Sequence, residues 1–135
     1  FAVRDDDIGI AKNLCKEIKQ TLPDSNVEFC RFSELSGDID LLVNATPVGM
    51  FPKVDNQPIS DSIISRCANV FDAVYNPLET VLIKKAKANG AKAEGGMAML
   101  VWQAVVSHEK WDGSFYDKYD IAKLCIDSSN ELKNR

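Results

Sequence analysis

Histidine is nearly absent from this 135-residue chain, which carries only His108. No nucleophile or acid pairs with it in a recognisable pattern, so it reads as a rim or core residue rather than a general base. The four cysteines, Cys15, Cys30, Cys67 and Cys125, include no Cys-x-x-Cys pair, which excludes a zinc site built on grouped ligands. They read as small buried hydrophobes of a reducing compartment, hence a cytoplasmic protein. Long apolar runs are missing as well. The longest ends at Trp102 and falls far short of the ~20 residues that a membrane span needs. Basic charge is in deficit, with 16 Lys and Arg against 20 Asp and Glu, a net charge of −4. That balance excludes a general nucleic-acid binder, which needs a basic face for phosphates. The one basic cluster, Lys84, Lys85 and Lys87, reads as the solvated face of a helix. Gly-x-Gly-x-x-Gly, Walker A, Gly-x-Ser-x-Gly and His-Glu-x-x-His are all absent.

What is present is the composition of a globular protein, 45% hydrophobic and 27% charged, at the length of one domain. Segments of strand and helix character alternate. Phe1 to Arg4 reads as a strand end, followed by Asp5-Asp6-Asp7, with Asp7 a good N-cap. Ile8, Ala11, Leu14, Cys15, Ile18 and Leu22 then recur at helical spacing. Val27 to Phe32, Asp40 to Asn44 and Asn69 to Val74 read as strands, the last two apolar enough to be buried on both faces of a parallel sheet. Ser60-Asp61 opens a short helix through Ile63 and Ile64. Glu79-Thr80 opens another that Gly90 stops, and Ala91 to Glu94 is a short strand. Gly95-Gly96 leads into a long helix from about Met97 to Lys110, stopped by Gly113. A last helix runs from about Asp120 to Leu132.

Five strands with intervening helices predict an α/β fold, a doubly wound, mostly parallel Rossmann-type sheet with helices on both faces and further helices at the C-terminus. Residues 1–113 are expected to form a partial dinucleotide-binding domain, with 114–135 a helical tail packed on it. Ligands of such sheets bind at the carboxyl ends of strands. That rule singles out the Asp run, Asn44-Ala45-Thr46-Pro47, Tyr75-Asn76-Pro77 and Gly95-Gly96.

Asp5 or Asp6, after the first strand, suits the acid that accepts hydrogen bonds from an adenosine ribose and repels a 2′-phosphate. Helix capping explains the run equally well, although one Asp suffices for a cap. Pro47 keeps Thr46 extended, so that loop does not roll directly into a helix. Tyr75 stands at a strand end, where its hydroxyl meets either a ligand or water. Met99 and Gln103 share one face of the long helix, while Leu100, Val101, Ala104, Val105 and His108 form an adjoining, mostly core face. A buried Gln103 needs hydrogen-bond partners, from the protein or from a polyhydroxylated ligand.

Four segments together resemble the shikimate/quinate 5-dehydrogenase family. They are Asn44-Ala45-Thr46-Pro47-Val48-Gly49-Met50, then Phe71 through Thr80 (FDAVYNPLET), then Gly96 through Ala104 (GMAMLVWQA), then Glu109-Lys110-Trp111-Asp112-Gly113. They occur in the family's order and match its C-terminal, NAD(P)-binding half. The resemblance implies reversible hydride transfer between a nicotinamide cofactor and the 3-hydroxyl of shikimate or quinate, a step of aromatic amino-acid biosynthesis. It implies that Tyr75 and Gln103 contact substrate. Gly96, Met99 and Ala73 would border the nicotinamide, and Thr46 would lie along the cofactor. The family's usual Asn-Arg-Thr after its second strand falls on Asp5-Asp6-Asp7 when Ala11 is aligned. Acid in place of Arg implies NAD rather than NADP, with Asp5 and Asp6 on the ribose.

The family's catalytic Lys and Asp belong to an N-terminal domain, so no catalytic residue is expected here, and the chain alone is expected to be inactive. The glycine-rich turn and its strand are likewise not in the sequence. The apolar start at Phe1, without initiator Met or signal peptide, then reads as a cut edge. In the order 3-2-1-4-5-6 the lacking strand is central, leaving unpaired edges on the strands at Phe1 and Asn44. An N-terminal domain or another chain is the expected partner there, with no nucleic acid and no membrane. The alternative is a non-catalytic nucleotide-binding module derived from a dehydrogenase. Tyr75 and Gln103 argue against it, since such a module has no use for both.

Overall fold

The computed structural model describes residues 1–134. It falls into two compact units, Phe1–Gly37 and the residues from Asp38 onward.

In the first unit β1 (Ala2–Val3) pairs in parallel with β2 (Cys30–Arg31), and α1 (Ile8–Thr21) links them. This is a β-α-β crossover in miniature. The pairing extends into Phe1, whose carbonyl accepts from Cys30 N at 2.8 Å and whose ammonium donates to the Glu28 carbonyl at 2.6 Å. α1 has the expected amphipathic pattern and buries Ala11 and Cys15. Asp5–Asp7 forms a 3-10 turn before it. The expected cap at Asp7 is not made. Its carboxylate takes Arg4 instead, at 2.9 Å, because a neighbouring guanidinium is a stronger partner than a backbone N–H.

The second unit carries β3 (Ile39–Asn44), β4 (Cys67–Asp72) and β5 (Lys92–Glu94), all parallel and in the order β3-β4-β5. α2 (Asp61–Ile64) precedes β4, and α3 (Val81–Ala88) packs on β4 and β5. The core holds Ile63, Ile64, Val70, Leu82, Ile83, Ala86 and Ala93. Cys67 is buried, donates its thiol to the Ile63 carbonyl at 3.3 Å, and is pushed above the ordinary thiol pKa by desolvation. α3 starts on Thr80, whose Oγ1 accepts from Ile83 N, and ends at Gly90 with φ +85°, as the sequence suggested. α4 (Met97–Asp112) stops at Gly113 in the left-handed conformation. α5 (Lys118–Lys133) packs back on α4 through Val101, Val105 and Ile121. It begins two residues earlier than expected, because Asp117 caps it by accepting from Tyr119 N and Asp120 N at 2.7 and 2.9 Å.

The strands thus form two parallel groups in place of the single expected sheet. Their orders match positions 3-2 and 4-5-6 of a Rossmann-type fold. Among the described residues β1 pairs only with β2, and β3 only with β4. Burial of β3 on both faces does not hold. Leu41 and Val43, alternate residues on one face, are 58% and 52% exposed. The hydrophobic run correctly marked a parallel strand, but none of the described elements covers that face. α4 differs too: only Val101 and Val105 are core, whereas Leu100, Ala104 and His108 are exposed, because α4 is packed along the single line it presents to α5.

Candidate active site

Because β3, β4 and β5 are parallel, the loops leaving Asn44, Asp72 and Glu94 emerge at one edge of the sheet. Register places Asn44 directly beside Asp72. Asp72 is fully buried, yet no cation among the described residues pairs with it. Its Oδ1 accepts from Asn44 Nδ2 at 2.9 Å and from Val74 N at 3.0 Å, and its Oδ2 accepts from Thr80 Oγ1 at 2.7 Å. Asn44, also buried, extends the network. Its Oδ1 accepts from Thr46 N at 3.1 Å and Thr46 Oγ1 at 2.7 Å, and its Nδ2 also reaches the Val48 carbonyl at 3.3 Å. Every polar atom of the cluster is satisfied, as burial demands. The two loops are joined again where Phe51 N donates to the Asn76 carbonyl at 2.9 Å.

The third loop is held by close backbone approach. Gly96 N donates to the Val74 carbonyl at 2.9 Å. A Cβ on Gly96 would overlap the Ala73 carbonyl oxygen and lie 2.6 Å from its carbon, and one on Gly95 would lie 2.9 Å from the Leu78 carbonyl oxygen. Only glycines let the start of α4 sit this near β4. Gly49, at φ +92° and against the Asn56 carbonyl, shapes the turn after Thr46 in the same way.

These ties bring Thr46, Ala73 and Gly96 to the same edge, with Tyr75 and the first turns of α4 alongside. Thr46 is exposed, Gly96 buried, Ala73 and Met99 half-buried, and Tyr75 41% exposed. Thr46, Ala73 and Gly96 are all small, a residue set whose bulk would not obstruct a flat ring such as a nicotinamide. Gln103 is exposed on α4, where its carbonyl accepts from Ser107 Oγ at 2.7 Å and its side-chain amide makes no hydrogen bond among the described residues. The premise that its amide is buried is therefore wrong: α4 turns only the line of Val101 and Val105 inward, and Gln103 lies off it.

Asp5 and Asp6 lie in the other unit, after β1. Arg31 Nε bonds Asp5 at 2.9 Å and its NH1 bonds Glu34 at 2.8 Å, which together raise the guanidinium's affinity for its proton. Glu34 is held below the usual carboxylate range by the Arg31 backbone N–H and side chain. Asp6 is exposed and makes no hydrogen bond or ion pair among the described residues.

Asp72 lies in a motif that the sequence marked, with no task assigned to it, and Thr80 read only as part of a helix start. The signal available was an aspartate inside an otherwise apolar strand. A cavity of about 840 Å³ between α3, α4 and α5, lined in part by Leu78, Lys84, Lys87, Glu94 and Cys125, includes none of the residues assigned to substrate or cofactor. His108 is exposed and its Nδ1 meets the Tyr116 hydroxyl at 2.9 Å. No cluster of metal-ligating side chains occurs among the described residues, and no described helix is long and apolar enough to cross a membrane.

No family model matches the chain. Among curated proteins it is 38% identical over 110 residues to a shikimate dehydrogenase (NADP(+)) of Caldanaerobacter subterraneus subsp. tengcongensis, covering 80% of this chain and 39% of that protein. It is 41% identical over 107 residues to the enzyme of that name from Methanocaldococcus jannaschii, covering 76% and 38%. The chain therefore spans about two-fifths of the length of the curated relatives it matches. A solved shikimate dehydrogenase in complex with NADP+ aligns with a TM-score of 0.77 at 32% identity, over 94% of this chain and 46% of that one. Quinate dehydrogenase from Corynebacterium glutamicum in complex with NAD aligns with a TM-score of 0.74 at 28% identity, over 92% and 44%. Over about four-fifths of its length the chain is thus homologous to shikimate dehydrogenases, and it shares the fold of the cofactor-binding part of that family.

Proposed function

We propose that this chain is the cofactor-binding part of an oxidoreductase that reversibly reduces 3-dehydroshikimate to shikimate, or 3-dehydroquinate to quinate. A nicotinamide cofactor would supply or accept the hydride. The observation that carries the reading is the joining of three strand-end loops at one edge, by the Asn44–Asp72 bond and the Gly96–Val74 bond. In this reading Thr46 would run along the cofactor, with Ala73, Gly96 and Met99 bordering its ring. Tyr75 and Gln103, both accessible, offer a hydroxyl and an amide to the polyhydroxylated substrate. The catalytic acid and base are assigned to residues outside this chain, in the remainder of a longer protein. The open edge of β3, with Leu41 and Val43 exposed beside it, is the surface assigned to that remainder or to another chain. Residues 1–113 then make one dinucleotide-binding domain with 114–135 as its tail.

NAD is the preferred cofactor in this reading. Its support is the acidic run, in which Asp6 stands exposed and unpaired among the described residues, where the relatives named above carry NADP(+) in their names. A 2′-phosphate there meets like charge, and a 2′-hydroxyl meets an acceptor. Steady-state kinetics of the full-length protein with shikimate and quinate, each against NAD+ and NADP+, test both levels. Turnover with NAD+ at the higher kcat/KM is expected. No turnover with either substrate would defeat the assignment of activity, and better use of NADP+ would defeat the cofactor preference alone.

A further inference from the structure

Asp72 is a fully buried carboxylate with three donors and, among the described residues, no cation. For stability alone this is a poor choice. A buried carboxylate without a counter-ion is costly to desolvate, and an apolar residue of similar volume would suit the end of an apolar strand better. What the carboxylate does uniquely is accept from three different pieces of chain. Oδ1 takes the Asn44 amide, which itself fixes Thr46 through two bonds. The same oxygen takes Val74 N, the residue between Ala73 and Tyr75. Oδ2 takes Thr80, which caps α3 and closes the 73–80 loop. One side chain thus sets the spacing between Thr46 and the Ala73–Tyr75 rim.

We infer that Asp72 is a positioning residue, which acts through Asn44 and Val74 to hold cofactor and substrate contacts at one fixed separation. This deepens the functional reading above and rests on it. Hydride transfer is sensitive to separation, since displacements near 1 Å can cost about 10²-fold in rate. The charge-assisted bonds of a carboxylate are shorter and stiffer than those of an amide. In Asp72→Asn, Oδ1 still serves Asn44 and Val74, but an NH2 faces Thr80 Oγ1 and leaves its proton without an acceptor.

The test is steady-state kinetics and thermal unfolding of the full-length protein as wild type, Asp72→Asn, Thr80→Val and, in α2, Ile64→Val. Asp72→Asn is expected to lower kcat at least tenfold and to raise KM for the nicotinamide cofactor. Ile64→Val, a trimmed core residue away from the network, is expected to lower Tm with both constants unchanged. A merely structural Asp72 would behave as Ile64→Val does. Folded Asp72→Asn with kcat and KM within twofold of wild type overturns the proposal. Should Asp72→Asn fail to fold, Thr80→Val, which has the shape of threonine and removes the hydroxyl that donates to Asp72 and accepts from Ile83 N, is read the same way in kcat, with the lost cap of α3 read separately in Tm. A several-fold fall in kcat supports the positioning role, and wild-type kcat overturns it. Wild-type protein without turnover defeats the functional reading itself, whereas wild-type turnover that these variants leave intact defeats the role of Asp72 alone.

Discussion

Gly96→Ala is the sharpest single perturbation available. The added methyl would lie 2.6 Å from the Ala73 carbonyl carbon and 3.1 Å from that of Val74, where ordinary contact begins at 3.4 Å. The obstacle is the backbone of Ala73 and Val74, just after β4, which has no rotamer to change. Relief therefore needs a displacement of at least about 0.8 Å between the start of α4 and the segment that follows β4. Overpacking of this kind costs about 1–3 kcal/mol. The Gly96 N–Val74 carbonyl bond, now 2.9 Å, is stretched by the same movement and adds about 0.5–1.5 kcal/mol. The sum is about 2–4 kcal/mol. Unfolding entropy near 2.1 cal/mol/K per residue makes each kcal/mol worth roughly 3–4 °C for a chain of this length, so Tm should fall by about 7–14 °C. Gly9→Ala is the matched control. A Cβ there meets nothing within 4 Å, and the residue lies inside α1, so a gain of about 0.5–1 kcal/mol is expected. Circular dichroism melts of both variants against wild type decide it. A Gly96→Ala protein melting within 2 °C of wild type would refute the close-approach argument.

Three further outcomes follow from the same structure. Tyr75→Phe removes the rim hydroxyl and should lower kcat/KM for the hydroxy-acid about tenfold while leaving Tm within about 2 °C, since the ring is already 41% exposed; unchanged kcat/KM would remove Tyr75 from the substrate contacts. Asp6→Arg should shift the ratio of kcat/KM toward NADP+ by about tenfold or more, by replacing repulsion with a bidentate phosphate partner; an unmoved ratio would mean that the acidic run does not read the ribose. Asp61 accepts from Lys85 Nζ at 2.7 and 2.9 Å and from Gln57 at 2.8 Å, which hold its carboxyl below the ordinary 3.8. A depressed folded-state pKa gives stability that is present above the unfolded value and lost as pH falls through the folded one. Asp61→Asn should therefore melt below wild type at pH 7, with the gap closing as pH drops below 3.8; a gap that persists in acid would assign the difference to packing.

The alternation of strands and helices was readable from hydrophobic period and from punctuation. Thr80 and Gly90 bound α3, and Gly113 ends α4, because caps and left-handed turns are local chemistry written in single residues. The motifs at Asn44, Phe71 and Gly96 were equally legible, and with them the edge proposed as the site. Other features were not local. Asp7 reads as a cap until Arg4 competes for it, and Gln103 reads as buried until α4 is seen to present only Val101 and Val105 inward. Leu41 and Val43 carry the pattern of a doubly covered strand, yet whether a face is covered depends on residues distant in the chain. The task of Asp72 is the clearest case. Its sequence shows an acid in an apolar strand, and only register, which puts Asn44 beside it, with a loop that returns Thr80 to its second oxygen, turns that acid into the tie between two loops. Sequence determined the elements because propensity and capping act over a few residues. Tertiary structure decided which polar groups meet, because hydrogen bonds across 28 residues of chain, as between Asn44 and Asp72, exist only once the sheet has formed.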